Sequence, residues 1–220
     1  MDWTLLGTYL PYLLRAAGIT LAISGLALVG GTLLGLGLTL LRLARSGAAR
    51  VAIGAYVWLI RGTPLLLQIF AVYYWLPSFG IRLPAFTAGA LVLGLNAAAY
   101  YVDIFRAAIG TVPIGQSEAA RAVGMMPSQI MRRIVLPQAL LPALPPYIGQ
   151  SINLLKNSSL VSVISVQELM FTSQSIYSST YRLGESIGVA GVLYLAMTSM
   201  LQLFQIWLER RLMRRGRQAG

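Results

Sequence analysis

Five long apolar runs constrain this chain more than any other feature of its sequence. Each is at least as long as the roughly 20 residues that a helix needs to cross the hydrocarbon core of a bilayer. None alternates between apolar and polar residues, as a membrane-spanning strand would. The runs predict an all-α membrane protein with about five transmembrane helices in a single domain over residues 1–220. They extend over about residues 19–41, 51–76, 85–107, 141–166 and 187–208.

The composition agrees with a membrane protein and argues against an enzyme. Only 10% of the residues are charged, against about 25% in soluble domains. The chain has no Cys and no His, so it lacks thiolate chemistry and the commonest acid/base residue and metal ligand. Asp103 is the one acid within an apolar run. An intramembrane enzyme is therefore not expected, and neither catalytic residues nor a metal site are predicted.

The distribution of arginine predicts the orientation of the chain. One set of connecting segments carries eleven arginines and the other carries three, Arg15, Arg82 and Arg182. Because arginine accumulates on the cytoplasmic side, we expect the N-terminus outside and the C-terminus in the cytoplasm. The charge lies between apolar runs, which favours a membrane over a nucleic-acid partner. The cytoplasmic set is Arg42, Arg45, Arg50, Arg121, Arg132, Arg133, Arg210, Arg211, Arg214, Arg215 and Arg217.

The fourth run is the most polar, and one of its helical faces is a candidate substrate site. Asn153, Lys156 and Asn157 are spaced i, i+3 and i+4, which places them on one face, next to Ser158. A charged side chain in mid-membrane costs about 3 kcal/mol and usually faces a cavity. The cation of Lys156 suits a substrate carboxylate. Alternatively, Lys156 extends to the outer interface or pairs with Glu168.

The third run carries a second candidate face. Asn96 and Tyr100 share this face with Asp103, and we expect the first two to line a pocket. Asp103 lies nearer the cytoplasmic end, where it is expected to pair with Arg106 or with the loop arginines.

A break is predicted in the second run at Gly62-Thr63-Pro64. Pro64 removes a backbone N–H and clashes with the carbonyl four residues earlier. Transporters use such breaks to present backbone groups to a substrate, and this would make Thr63 and Gln68 substrate-binding residues. A simple proline kink is the alternative.

The cytoplasmic segment at about 110–140 is too long for a tight connection. Good helix formers follow Gln116 and Ser117, and Gly124 ends this helix as a C-cap glycine would. Pro127 then begins a second short helix. Met125 and Met126 contribute to an apolar face that could lie on lipid headgroups or dock into a protein partner.

The spacing within this segment resembles the EAA loop of ABC transporter permeases. It reads Glu118-Ala119-Ala120, three residues, Gly124, nine residues, Ile134, one residue and Leu136-Pro137. The resemblance covers residues 18–212 and is closest to the polar amino-acid, histidine/glutamine-type branch. The segments that carry this further resemblance are 61–64, 100–106 and 156–160.

The resemblance implies a type I ABC importer permease fold with a cytoplasmic coupling helix, in a bacterial cytoplasmic membrane. It implies a permease subunit of an ATP-driven importer for polar amino acids, with alternating access at a mid-membrane site. The implied partners are ABC ATPase subunits, a second permease subunit, identical or not, an extracytoplasmic solute-binding protein and membrane lipid. The implied ATPase-coupling residues are Glu118, Ala119, Ala120, Arg121, Gly124, Met125 and Pro137.

Two further observations bear on energy supply and substrate. The chain has no Gly-x4-Gly-Lys-Ser/Thr phosphate loop, so ATP is expected on the partner ATPase and no cofactor on this chain. The family usually carries Asp where Asn157 stands, which argues against a cationic substrate. The alternative function is a self-sufficient channel or secondary carrier for a small polar solute. Lys156 and Asn96 would serve that function equally well, but such proteins have no reason to carry an EAA loop.

Overall fold

The first helix is far longer than its apolar run predicted. The computed structural model describes residues 3–44 and 47–216, with side chains over 7–43 and 47–211, and Arg45 and Arg217 lie outside this part. Helix α1 is Trp3–Ala44, 42 residues, or about 63 Å at 1.5 Å per residue. Pro11 and Arg15 interrupt the apolar pattern, which is why the predicted start at residue 19 was wrong. Leu13 and Ala17 are nevertheless buried in a cluster with Leu169 and Ile176.

The second run is broken, as predicted, but more sharply than a kink. Helix α2, Ala48–Gly62, ends at Thr63, and helix α3, Leu65–Phe70, follows after Pro64. The chain bends by 107° between the two helical parts. A π turn, Ala71–Trp75, and a 3-10 turn, Leu76–Phe79, complete this second part.

Helix α4, Ala85–Gly110, is the centre of the core and confirms the third predicted run. It packs directly against α1 through glycine. A Cβ added to Gly31 would lie 2.8 Å from the Gly94 carbonyl oxygen, and one added to Gly35 would lie 2.7 Å from Tyr101 Cβ. Two helices can approach this closely only where side chains are absent.

The cytoplasmic segment forms a helix, a glycine turn and a second helical part. Helix α5 is Ile114–Ala122, and it begins two residues before Gln116, the earlier of the two starts, Gln116 or Ser117, that the sequence allows. Helix α6, Pro127–Ile130, continues through a π turn, Met131–Val135, into helix α7, Leu136–Asn157. The second helix is therefore not a separate short element, because helical backbone runs unbroken into the predicted fourth span.

Two further helices follow α7, each after a short helical turn. A 3-10 segment, Ser158–Ile164, leads to helix α8, Leu169–Thr180. A π turn, Gly184–Gly188, then opens helix α9, Val189–Gly216. Within residues 3–44 and 47–216 no strand occurs.

Three helical stretches of the described chain are long and apolar enough to cross a membrane, or four if the bent pair is one span. Five were predicted, and the fifth is α7, which does not reach the same mean hydropathy. Its 22 residues are long enough at about 33 Å, but they include Pro142, Pro145 and Pro146 and the polar face around Lys156, which lower its hydropathy. The stretches are Gly7–Leu43, Ala85–Gly110 and Gly184–Arg211, with Ala48–Gly62 and Leu65–Phe79 as the bent pair.

Candidate functional site

The break between α2 and α3 is held by one side chain. Pro64 has no N–H, so the Ile60 carbonyl loses the donor that an unbroken helix would supply four residues later. Gln68 replaces it, because its Nε2 donates to the Ile60 carbonyl oxygen at 2.7 Å. The same amide lies 3.1 Å from the Thr63 carbonyl oxygen and 3.0 Å from Thr63 Oγ1. Gln68 thus compensates the backbone defect that the proline creates.

Asn96 on α4 completes this cluster. Its Nδ2 donates to Gln68 Oε1 at 3.1 Å, and its side chain is almost fully buried. The structure therefore brings together three predicted substrate-binding residues, Thr63, Gln68 and Asn96, from two separate apolar runs. Their polar groups bond to one another, which makes them residues that fix the break against α4. The hydrogen bonds of Gln68 to Ile60 and Asn96 depend on the bend, so they could not be predicted from the sequence.

Tyr100 lies in a second, charged cluster. The Arg61 guanidinium sits over the Tyr100 ring, 5.0 Å from its centroid, and Arg61 Nη1 forms an ion pair with Asp103 Oδ2. Arg106 Nη2 lies 3.6 Å from Asp103 Oδ1. The predicted pairing of Asp103 with Arg106 is confirmed. Arg61 also pairs with Asp103, across the two helices. The end of α2 is thus anchored to α4 by charge.

The face around Lys156 is open. The side chains of Asn153 and Lys156 are exposed, and Asn157 is half-buried. Among the side chains described, those of residues 7–43 and 47–211, no carboxylate forms an ion pair with Lys156. The alternative pairing with Glu168 is wrong, because Glu168 is fully buried and is occupied by other donors. A cation exposed on a membrane-embedded helix either extends to the interface or needs a cavity, a ligand or a partner chain.

Glu168 is a structural carboxylate that sequence reasoning missed. It caps α8 by accepting from the backbone N–H groups of Met170 at 3.0 Å and Phe171 at 2.8 Å. It also accepts from Tyr194 OH at 2.7 Å and Thr20 Oγ1 at 3.4 Å. Helices α1, α8 and α9 are therefore joined at one buried group.

Ser158 differs from its neighbours on the predicted site. Its side chain is fully buried, and its hydroxyl donates to the Leu155 carbonyl oxygen at 2.7 Å. Ser159 and Ser162 make the same bond to the carbonyl three residues earlier. This repeat fits a 3-10 helix, so Ser158 supports the local helix geometry and presents no surface to a ligand in this structure. The 3-10 segment contacts both α3 and α4.

The cytoplasmic turn at Gly124 has a specific helix-ending geometry. Gly124 has φ +81°, its N–H donates to the Arg121 carbonyl oxygen at 2.9 Å, and the Met125 N–H donates to the Ala120 carbonyl oxygen at 3.1 Å. These two bonds define a Schellman motif. The prediction that Gly124 ends the helix with a positive φ is confirmed.

This turn divides its apolar residues between two sides. Met125 packs with the buried Ala120, Ile130 and Val135 and fixes the angle of the turn. Met126 points away from this cluster and is exposed, although both methionines were expected on one docking face. Several other side chains are exposed beside it, and a partner could contact them. They are Ile114, Glu118, Ala119, Arg121, Val123 and Pro137.

Comparison with known proteins identifies the family. Residues 27–214 match the family described as binding-protein-dependent transport system inner membrane component. The chain is 35% identical to the probable amino-acid ABC transporter permease protein YckA of Bacillus subtilis, over 91% of this chain and 89% of that protein. It is 37% identical to the probable glutamine ABC transporter permease protein GlnM of the same organism, over 88% and 89%.

Solved structures agree with this assignment. A crystal structure of an amino acid ABC transporter with histidines matches with a TM-score of 0.89 and 36% identity, over 96% of this chain and 99% of that one. A subunit of the MetNI methionine ABC transporter matches with a TM-score of 0.78 at 22% identity, over 93% and 97%, and supports the fold alone. The resemblance to ABC transporter permeases and the permease fold are thereby confirmed. The chain belongs to the family of binding-protein-dependent transport system inner membrane components, and it is a transport subunit rather than an enzyme.

Proposed function

We propose that this chain is the permease subunit of an ATP-driven importer of polar amino acids, with the substrate passing Lys156 on its way through the membrane. The observation that carries this proposal is the unbroken helical backbone from Pro127 to Asn157. It joins the Gly124 turn at one end to the Asn153, Lys156 and Asn157 face at the other. Measured along its path, this helical backbone is about 45 Å long at 1.5 Å per residue.

In the proposed mechanism, this continuous helical backbone transmits the movement of the ATPase to Lys156. An ATPase that seats on the Gly124 turn and moves toward its twin on binding ATP would tilt α6 and α7 together. Because the backbone is helical throughout, that tilt reaches Lys156 without being absorbed by a loop. Alternating access then follows from the movement of the Lys156 face against the fixed break at Pro64.

The chemistry of the Lys156 face favours an amino acid. An exposed ammonium group binds the α-carboxylate that all amino acids share, and the amides of Asn153 and Asn157 can both donate and accept hydrogen bonds. Asn157 supplies no negative charge, so a neutral or acidic side chain on the substrate fits better than a basic one. Names of relatives support amino acids as the substrate class, since they include glutamine, arginine and L-cystine transport proteins.

The proposed assembly has two permease subunits, two ABC ATPase subunits, an extracytoplasmic solute-binding protein and surrounding lipid. In it, ATP is bound by the ATPase partner and this chain holds no cofactor. The proposed orientation has the N-terminus outside and the C-terminus in the cytoplasm of a bacterial inner membrane, from the arginine bias. A self-sufficient channel or carrier is the weaker reading, because the relatives are subunits of ABC transporters.

The test is substrate-stimulated ATP hydrolysis. The chain would be purified with the ATPase and the binding protein from its own system, reconstituted, and screened against the amino acids one at a time. We expect stimulation by one or a few neutral or acidic polar amino acids. Stimulation by sugars or metal ions alone, or by none of the amino acids, would contradict the proposed substrate class.

Orientation is tested separately. A reporter that is active only in the cytoplasm should give signal when fused after Arg217 and none when inserted beside Arg82. The reverse pattern would contradict the orientation and would put the Gly124 turn on the wrong side for an ATPase.

A further inference from the structure

A largely apolar groove lies between α1, α4 and the N-terminal half of α7, apart from both polar clusters. Its volume is about 530 Å³, within the range of small-molecule sites. It exists because Ala108, Ala139 and Ala143 are too small to fill the space between α4 and α7. Larger apolar side chains form its walls, namely Leu36, Phe105, Ile109, Leu136, Leu140 and Leu144.

The two ends of the groove differ in polarity. Arg132 is the one charged residue of its lining, and it forms no ion pair with a carboxylate of the described chain. At the other end, Thr32 Oγ1 and Tyr147 OH are hydrogen-bonded to each other at 2.8 Å. Because these hydroxyls are already paired, the deep end offers little to a polar ligand. The groove therefore fits a molecule with an anionic head and an apolar tail.

The length of the groove matches one leaflet of a bilayer. Arg132 and Tyr147 are fifteen residues apart on continuous helix, or about 22 Å. Half of the hydrocarbon core is about 15 Å thick, and the headgroup region adds several ångströms. A head at Arg132 would thus lie at headgroup depth, and a tail at Tyr147 would reach the membrane centre.

We propose that this groove binds one anionic phospholipid, with its phosphate on Arg132 and an acyl chain running over the alanine floor toward Tyr147. Basic pockets between transmembrane helices are known sites for anionic headgroups. The assignment to the cytoplasmic leaflet rests on the orientation proposed above, whereas occupancy of the groove does not. The rival occupant is an apolar segment of a second copy of the chain.

The first test measures lipid retention by the intact permease–ATPase complex. The complex would be reconstituted in nanodiscs of phosphatidylcholine with or without phosphatidylglycerol. It would then be released under mild conditions, and the lipid that it retains would be measured by native mass spectrometry. We expect phosphatidylglycerol to be retained over phosphatidylcholine, and Arg132→Gln to bind it roughly fivefold more weakly, as expected for the loss of one interfacial cation. Arg133→Gln is the matched control, because this neighbour does not line the groove, and it should bind as the wild type.

The second test blocks the part of the groove that is proposed to hold the acyl chain. Leu140 lines the groove and Leu141 does not, although both are exposed. Leu140→Trp should lower retention of phosphatidylglycerol, while Leu141→Trp should leave it unchanged. The pair controls for the general effect of an added tryptophan on this helix.

Three outcomes would overturn the proposal. One is equal loss of lipid in Arg132→Gln and Arg133→Gln, which would indicate a diffuse basic surface. Another is equal retention of both lipids by the wild type. The third uses the absence of native cysteine: efficient disulfide cross-linking of Leu140→Cys to a second copy would show that protein fills the groove. A failure of amino acids to stimulate ATP hydrolysis would contradict the proposed function and leave lipid retention unchanged.

Discussion

Gln68 donates its side-chain amide to the Ile60 carbonyl, across the break where Pro64 has removed the backbone donor. A bend of 107° would otherwise leave that carbonyl without a partner inside the membrane, where water cannot replace it. The break is therefore a built feature with its own compensating residue.

Gln68→Leu should destabilise the chain by about 1–3 kcal/mol, because the partly buried carbonyl of Ile60 is left unsatisfied. Thermal unfolding of the purified protein in detergent would measure this. Asn96→Leu should cost less, and the double variant should cost less than the two single effects combined, since Asn96 acts through Gln68. Strictly additive effects would contradict the coupling.

Glu168→Ala should destabilise the chain by at least about 3 kcal/mol, because several donors from three helices lose their shared acceptor. Gln167→Ala is the control, since Gln167 is adjacent and exposed, and it should unfold near the wild-type temperature. Transport measured at low temperature separates a role of Glu168 in stability from a role in the transport pathway. A Glu168→Gln variant that folds should still transport under these conditions. Loss of transport with normal stability would instead assign Glu168 to the pathway.

Gly124→Ala should impair ATPase recovery on a tagged permease, because an L-residue at φ +81° costs about 1–2 kcal/mol and changes the angle of the turn. No atom crowds the position, so the cause would be backbone strain alone. Gly115→Ala is the matched control, because Gly115 lies within α5, where alanine is favourable. Equal recovery in both variants would show that the turn geometry does not matter for docking.

Lys156→Gln should lower substrate-stimulated ATP hydrolysis and transport at least tenfold at low substrate concentration, while basal hydrolysis and assembly persist. The reason is the loss of the cation proposed to bind the α-carboxylate. Ser159→Ala is the control, since its hydroxyl bonds to its own helix backbone. Wild-type transport by Lys156→Gln would remove Lys156 from the pathway.

Features that depend on local sequence could be predicted, and features that depend on the path of the chain could not. Helix α4 and the Gly124 turn follow from continuous apolar residues and from one glycine at the end of a short helix. The start of α1 was missed because Pro11 and Arg15 mask a helix that tertiary packing of Leu13 stabilises. The role of Glu168 was missed because its partner Thr20 lies 148 residues away.

The candidate site shows the same division. The faces at Asn96 and at Lys156 could be predicted from helical periodicity. Periodicity does not show which polar groups already have hydrogen-bond partners. Gln68 and Asn96 satisfy each other only because the bend turns α3 toward α4. Lys156 remains open because Glu168 is committed to α8 and to Tyr194.

The glycine contact between α1 and α4 limits how this protein can move. With Gly31 and Gly35 pressed onto the α4 backbone, the two helices cannot slide or rotate against each other without a collision of backbone atoms. We therefore expect α1 and α4 to move as one rigid body in a transport cycle. Helix α9 leaves most of its apolar surface exposed, but its Tyr194 is bonded to Glu168, which also holds Thr20 of α1. We therefore expect the relative motion that opens one side and closes the other to occur between this α1–α4 pair and α7.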